Sequence, residues 1–462
     1  MAESPKSDLM DKVVSLCKRR GFVYPNSEIY GGLANAYDYG PLGVELLRNI
    51  KNMWWDRFVH RREDIWGLDG AIISNPKVWE ASGHVSGFSD PLVDCRKCQE
   101  RIRADHLVEE QLEQKVEGLP VEEISQIIFD NKLKCPHCGS TDLTEARKFN
   151  LLFETSLGSV AGEKTKVYLR GETAQNMFLC FKNILDSFSP RLPFGLAQIG
   201  KAFRNEITPG NFIFRTLEFE MMEIEYFVSE QDWEKHFELW KKEMWQWLLD
   251  LGVGADKLRW RRHSEEELSH YSKRTEDVEY DFPFGGFKEL YGLAYRTNFD
   301  LTNHAQFSGQ ALIYTDPDTH EKSVPHVVEP TFGVTRTVLV LLTEAYEEQE
   351  VNGGTRVVLH LSPKVAPYKI AVFPLSANKP ELVNKAREIF ESLNTRFTCA
   401  WDDIGNVGKR YRRQDEIGTP WCVTVDYDSL EDGAVTVRDR DTMEQERIPI
   451  TDLQNYFSDK LD

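Results

Sequence analysis

The sequence predicts an α+β protein: an antiparallel β-sheet core with flanking helices, a cysteine-rich insertion, and a C-terminal α/β unit. Three observations lead there. Between 151 and 361, strand-like and helical segments mix without the regular β-α alternation of a doubly wound parallel sheet. Between 90 and 150 the character changes, with "CRKC" and "CPHCG" bracketing an acidic, helical stretch at 105–130. Near 362, "SPKVAPYKIAVFPL" leads through prolines into a buried strand. The expected domains are 1–361, with the insertion at 91–149 inside it, and 362–462.

The bulk numbers agree. At 462 residues the chain is long enough for two or three domains, and 41% hydrophobic with 28% charged residues is ordinary for a globular protein. No apolar run approaches the roughly 20 residues of a membrane span. The first segment, "MAESPKSDLMDKVVSLCKRRGF", has no signal-peptide core. The expectation is a cytoplasmic protein with no membrane partner. A net charge of −19 argues against non-specific nucleic-acid binding over the whole surface, but not against a local basic patch.

In chain order, "YGGLANAYDYGPLG" reads as a loop without periodicity. From Pro41, Leu46, Leu47, Ile50, Met53, Trp54 and Phe58 recur at helical spacing, which predicts a helix over 42–59. "DIWGLDGAIISNP" follows as a short strand ending at Pro76. The C-terminal unit continues with helical "KPELVNKAREIFESL" and strands near 397–401 and 421–426.

Within the insertion, Cys95-x2-Cys98 and Cys135-x2-Cys138 form two knuckles, the second with the Pro and Gly of a zinc knuckle turn. Four thiolates close a tetrahedral site with no open position, so the expectation is a structural Zn2+ in a zinc-ribbon-like fold, with His137 a knuckle residue and not a ligand. Four unligated cysteines are the alternative.

The stretch "FRNEITPGNFIFRTLEFEMMEIEYF" holds five glutamates and two arginines among strand-like residues. Carboxylates on a half-buried sheet are costly without partners. "TPGN" at 208–211 predicts the turn of a long hairpin. Alternation places Phe219, Met221, Glu223 and Glu225 on one face, and Glu218 and Glu220 on the other. Such a strand brings cation, acid and aromatic ring into one groove, where arginine suits a phosphate and glutamate an amine. The blander readings are a cross-strand Arg204–Glu206 ion pair, core positions for Phe219 and Met221, and solvated acids at Glu218 and Glu220.

These residues resemble motif 2 of the class II aminoacyl-tRNA synthetases. The helix and strand ending at Pro76 with "KVWEASGH" resemble motif 1, and "EPTFGVTRTVLVLLTEAY" resembles motif 3. "RGFVYPNSEIYGGLANAYDYGPLGVELLRNI", "RGETAQNMF", "LPFGLAQIGKAFRNEI" and "GTPWCVTVDYDS" narrow the resemblance to the dimeric type of glycyl-tRNA synthetase, from about residue 15 to the C-terminus. The resemblance implies a class II catalytic sheet, a C-terminal anticodon-binding domain and a homodimer contacting through the 42–59 helix. It also implies ligation of glycine to tRNA(Gly) through glycyl-adenylate, with ATP and Mg2+ as co-substrates. A catalytically inactive, tRNA-binding or regulatory relative is the alternative; it would lack motif arginines or pocket acids, and all are present.

By match to the motifs, Arg204 is expected at the α-phosphate, Glu206 at the adenine amine, Phe219 stacked on adenine and Arg215 at the outer phosphates. Arg336, at a helix N-terminus where polyphosphate binds well, is expected to clamp the γ-phosphate or cover the other adenine face. Arg204 and Arg336 are the implied catalytic pair. Asn205, Phe214, Leu290 and Gly333 belong to the same ATP set, and Glu289 matches an acid associated with ATP and Mg2+. Arg103, Glu172, Glu223, Glu329 and Thr331 match the glycine site; Glu218 and Glu225 are left as candidates for metal or supporting roles. Lys409, Arg410, Arg412 and Arg413 in "GKRYRRQDEIG" are expected to contact tRNA. Two positions depart from the family pattern: Thr335 replaces a frequent aspartate and Gly171 a frequent proline.

Overall fold

The computed structural model describes residues 5–116, 118–158, 164–207, 210–351 and 353–461. Seven strands form the central sheet: β1 (Ile65–Gly67), β2 (Phe194–Phe203), β3 (Glu218–Val228), β4 (Leu258–Arg262), β5 (Arg274–Phe282), β6 (Gly286–Thr297) and β7 (His326–Gly333). Their spatial order is β4-β5-β6-β7-β3-β2-β1. Every pairing is antiparallel except β1 with β2. The antiparallel sheet that irregular β-α alternation predicts is therefore present, with one parallel edge.

Helices cover both faces. They are α1 (Pro5–Arg20), α2 (Pro41–Trp55), α3 (Ala174–Phe188), α4 (Trp233–Asp250), α5 (Phe299–Ser308) and α6 (Val334–Ala345). Proline at the first position of α2 starts the helix without losing a needed donor. Leu46, Leu47, Ile50 and Trp54 are buried against the sheet, in one core with Phe332 and with Trp240 of α4. Gly43 lets α2 pass close to Phe22: a Cβ there would lie 2.0 Å from the Phe22 carbonyl oxygen. The helix continues as a π-turn over Asp56–His60. The following strand is shorter than expected. It stops at Gly67, and the chain then runs to Pro76 with a single bridge, Ile73 to Leu169.

The insertion carries a three-stranded sheet (Ser89–Asp94, Arg101–Arg103, Arg147–Asn150) and its own apolar cluster. Its acidic stretch is two helices, Ala104–Leu112 and Val121–Asp130, separated before Pro120. At the C-terminal end, β8 (Ile370–Pro374), β9 (Cys399–Trp401), β10 (Trp421–Val425), β11 (Ala434–Asp439) and β12 (Gln445–Pro449) form a second sheet in the order β9-β8-β10-β11-β12. Helices α7 (Pro380–Asn394), α8 (Val407–Ile417) and α9 (Leu453–Leu461) flank it. The main core of this unit is a cluster of its own, while Ile417 at the end of α8 packs into the core of the central sheet.

The hairpin expected over 203–227 also differs from expectation. β2 and β3 pair over their length, but Arg204 to Leu217 form a long connection containing the short helix Phe212–Phe214. Arg204 and Glu206 are thus loop residues, and strand alternation does not place them. Thr208 and Pro209 of the expected turn lie outside the described residues.

Candidate active site

A cavity of about 550 Å³ opens over the face of the central sheet formed by β3, β5, β6 and β7. Two compartments meet in it, one rich in arginines and rings, the other in carboxylates.

In the first, the Arg204 guanidinium lies 5.1 Å from the Phe88 ring centroid and 5.3 Å from that of Phe219, and its Nε donates to the Gly171 carbonyl at 3.2 Å. Arg336 stands in the first turn of α6, its guanidinium 4.5 Å from the Phe214 ring centroid. It donates to the Glu289 carbonyl oxygen at 2.9 Å and lies 3.3 Å from the Glu289 carboxylate. That neighbour holds the half-exposed Glu289 carboxyl below its ordinary range. Glu206 lies 3.8 Å from Arg215, whose pKa burial pushes down. Leu290 and Gly333 line the same wall. Among the described residues these arginines form ion pairs only with Glu206 and Glu289, so the cluster is suited to a polyanion with a flat aromatic group.

In the second compartment, Glu223 accepts from the Thr173 backbone N–H at 2.7 Å, from the Thr173 hydroxyl, and from the Thr331 hydroxyl at 3.4 Å. Burial and the charge of Glu172 raise its pKa. Burial opposes the charge of Glu172 too, yet His84 at 3.2 Å and Arg296 at 3.7 Å keep it well below the carboxylate range. Glu329 lies 2.9 Å from Arg296, but burial drives its carboxyl up to about 8. A small ammonium suits such a pocket.

Most site residues expected from the sequence therefore line this cavity: Glu172, Arg204, Glu206, Phe214, Arg215, Phe219, Glu223, Glu289, Leu290, Glu329, Thr331, Gly333 and Arg336. Two do not. Asn205 donates its backbone N–H to Leu151 at 2.8 Å, and Arg103 is held between Asp90, at 2.8 Å, and Asp105. The remaining acids of the hairpin also differ from expectation. Glu220 is not a solvated acid: its face of β3 turns to α2, where Lys51 pairs with it at 2.9 Å. Glu218 pairs with Lys201 outside the cavity. Glu225 is completely buried behind the lining. Thr335, at one departure from the family pattern, accepts the Glu220 backbone N–H at 3.2 Å.

Sequence reasoning missed the support beneath the acids. Arg296 and Asp300 form a buried pair with contacts of 2.8 and 2.9 Å, and Gln175 bridges Glu172 and Asp300. A signal existed: an arginine near the end of an apolar strand, with an acid four residues on. His263 and Asp277, 2.6 Å apart on another wall, were also missed.

Comparison with known proteins decides what this constellation belongs to. A family described as tRNA synthetase class II core domain (G, H, P, S and T) matches residues 156–345, and an anticodon binding domain matches 369–460. The glycine–tRNA ligase of Caldanaerobacter subterraneus subsp. tengcongensis is 51% identical over 462 residues, 99% of each chain. That of Geobacillus thermodenitrificans is 51% identical over 458 residues, 98% of this chain and 97% of its own. That of Acetivibrio thermocellus is 52% identical over 459 residues, 98% of each. The chain belongs to the glycine–tRNA ligase family. The class II core match of this family member runs from residue 156 to the end of α6, and so contains Arg204, Arg215 and Arg336 of the first compartment.

Two further sets of residues lie outside the cavity. Cys95, Cys98, Cys135 and Cys138 place their sulfurs within 4.8 Å of one another, with Cys95–Cys138 and Cys98–Cys135 both at 3.6 Å. The knuckles match in geometry, each closing through a positive φ, at Gln99 and at Gly139. Tetrahedral bonds of about 2.3 Å to zinc separate sulfurs by about 3.8 Å, so the four thiols fit that ion. His137 is not in the cluster.

In α8 the basic run divides. Lys409 and Arg412 are exposed. Arg410 is a correction to the tRNA-contact set: it is 1% exposed and donates to the carbonyls of Pro374, Asp403 and Gly405, tying the helix to its sheet. Arg413 is engaged by Asp402 at 2.7 and 2.8 Å.

Proposed function

We propose that this chain activates glycine with ATP to glycyl-adenylate and transfers the glycyl group to the 3′ end of tRNA(Gly). The observation that carries the reading is the meeting, in one cavity, of Arg204, Phe219 and Arg336 with Glu172, Glu223 and Glu329. ATP with Mg2+ is the energy source expected of a class II core. Arg204 neutralises the α-phosphate as glycine's carboxylate attacks it; Phe219 and Arg336 hold adenine between them, and Arg215 takes the outer phosphates. Charge neutralisation and alignment supply the rate enhancement, with no covalent enzyme intermediate. Glu172, Glu223 and Glu329 receive the ammonium. Size alone rejects a methyl group by only about 1–3 kcal/mol, so the crowded pocket and the ammonium contacts act together.

Residues 1–361 serve as the catalytic domain with 91–149 inserted, and 362–462 as the anticodon-binding domain, where the exposed basic-run residues Lys409 and Arg412 meet tRNA. Structural zinc held by the four cysteines supplies the cross-link of the insertion. The enzyme works in the cytoplasm as a homodimer. Within one chain, the apolar stripe of α2 is already used in the core, so the helix offers its partner only its outer face, where Val44 and Arg48 stand.

Glycine-dependent ATP–pyrophosphate exchange tests the reading. The expected result is exchange with glycine and far less with alanine, and loss of exchange by more than about 100-fold in Arg204→Ala. Absence of glycine-dependent exchange in the folded wild type, or full activity in the variant, overturns it.

A further inference from the structure

Beneath the cavity floor, five carboxylates crowd one guanidinium. Glu223 and Glu225 come from β3, Glu329 from β7, Glu172 from the turn into α3 and Asp300 from α5, and none is more than 6% exposed. Arg296, 1% exposed at the end of β6, pairs with Asp300, Glu329 and, more distantly, Glu172. His84 lies against Glu172. His304, bonded to Gln175, is held neutral by burial. Arg204 and Arg170 reach Glu223 only from farther out.

Arg296 is thus the one guanidinium within ion-pair distance of these five carboxylates among the described residues. The partners of Glu223 are otherwise neutral N–H and O–H groups of Thr173 and Thr331. Glu225 has none: neither oxygen meets a hydrogen-bond partner among the described residues, and the side chain is completely buried. The strand register sets it level with Glu329 on β7 and opposite Leu196 on β2. The other charges it feels are Arg296, Glu223 and Asp300. Buried carboxylates so arranged cannot all ionise.

We propose that the free site stores protons on Glu225 and Glu329, and that glycine's ammonium displaces the Glu329 proton to solvent as it binds. Glu225, behind the lining, keeps its proton throughout and acts as a neutral filler that lets Glu329 ionise when the ammonium arrives. The Glu329 O–H bond breaks, its carboxylate keeps the electron pair, and the proton goes to buffer. Burial pushes both carboxyls upward, Glu329 to about 8 and Glu225 well above the carboxylate range, which fits this order of release. The ammonium therefore competes with a proton below about pH 8, so the KM for glycine falls about tenfold per pH unit as pH rises to that point, then levels.

The inference rests on the glycine reading above, and one experiment separates the two. Glycine binding is followed by calorimetry near neutral pH in two buffers of different ionisation enthalpy. The wild type is expected to release close to one proton per glycine bound. Glu225→Gln replaces a neutral group by a neutral group and is expected to release the same; Glu329→Gln binds more weakly and releases none. Glycine binding without proton release overturns the inference and leaves the glycine reading standing. So does a tenfold weaker affinity or a lost release in a folded Glu225→Gln, because Glu225 would then be charged. Absence of any glycine binding, together with absence of glycine-dependent exchange, overturns both.

Discussion

Arg296 shows what the acids of the cavity depend on. Three carboxylates face its buried guanidinium, and Asp300 and Glu329 use it as their only cationic partner among the described residues. Removing one member of a buried ionic cluster costs about 3–5 kcal/mol, because the others stay buried without countercharge. Arg296→Met keeps most of the volume and is expected to lower the thermal midpoint accordingly. The stranded carboxyls would then bind protons more tightly folded than unfolded, so the loss should deepen as pH rises through and above the ordinary carboxylate range. A pH-independent loss would show that volume, not charge, is what Arg296 supplies. This residue also marks a limit of sequence reading. Arg204, Glu206 and Arg336 stand in motifs whose resemblance to those of class II synthetases implies phosphate and amine chemistry. Arg296 and Glu225 sit among apolar strand residues, and only the register between strands reveals that they share one buried cluster.

Elements were more legible than their limits. Helical spacing identified α2, and period-two alternation identified β3 and its split between cavity face and α2 face. The strand after α2 ended early because its central-sheet partner, β2, pairs with it only at Ile65–Gly67. Arg410 was read as an RNA contact because a basic run looks solvated in sequence; helical geometry instead turns every third or fourth residue inward, and this one caps three carbonyls. The insertion was legible from its change of character and its four cysteines, since two Cys-x2-Cys pairs leave few other uses. Its apolar cluster is small, and both Cys95 and Cys135 belong to it, so the proposed zinc should hold the module together. Metal analysis is expected to give about one zinc per chain. Cys98→Ser should lose the metal and raise amide exchange across 91–149 while the central sheet stays protected. Zinc near zero in folded wild type, or exchange unchanged in the variant, would exclude a structural role.

At the scale of the whole molecule, the question is why a loop far in sequence from Arg204 and Arg215 should matter to them. Residues 26–36 leave Ile29, Tyr30 and Leu33 at 89%, 87% and 58% exposure, three large apolar groups within five positions. Single exposed apolar residues are ordinary, but a cluster on a positive-φ turn between Ser27 and Gly32 is not. The loop is also tied to the site: the Leu217 backbone N–H, at the end of the connection carrying Arg204 and Arg215, donates to the Asn35 carbonyl at 3.0 Å. If the proposed homodimer covers this loop, the partner stabilises the frame on which Arg204 and Arg215 rest. Sedimentation should then show a mass twice that of one chain, and Tyr30→Asp should shift it toward one chain at micromolar concentration. Exchange activity should fall with the dimer fraction and recover as protein concentration is raised. A variant that stays dimeric with normal exchange would place the interface elsewhere. A monomeric variant with full exchange would show that each chain builds its site unaided.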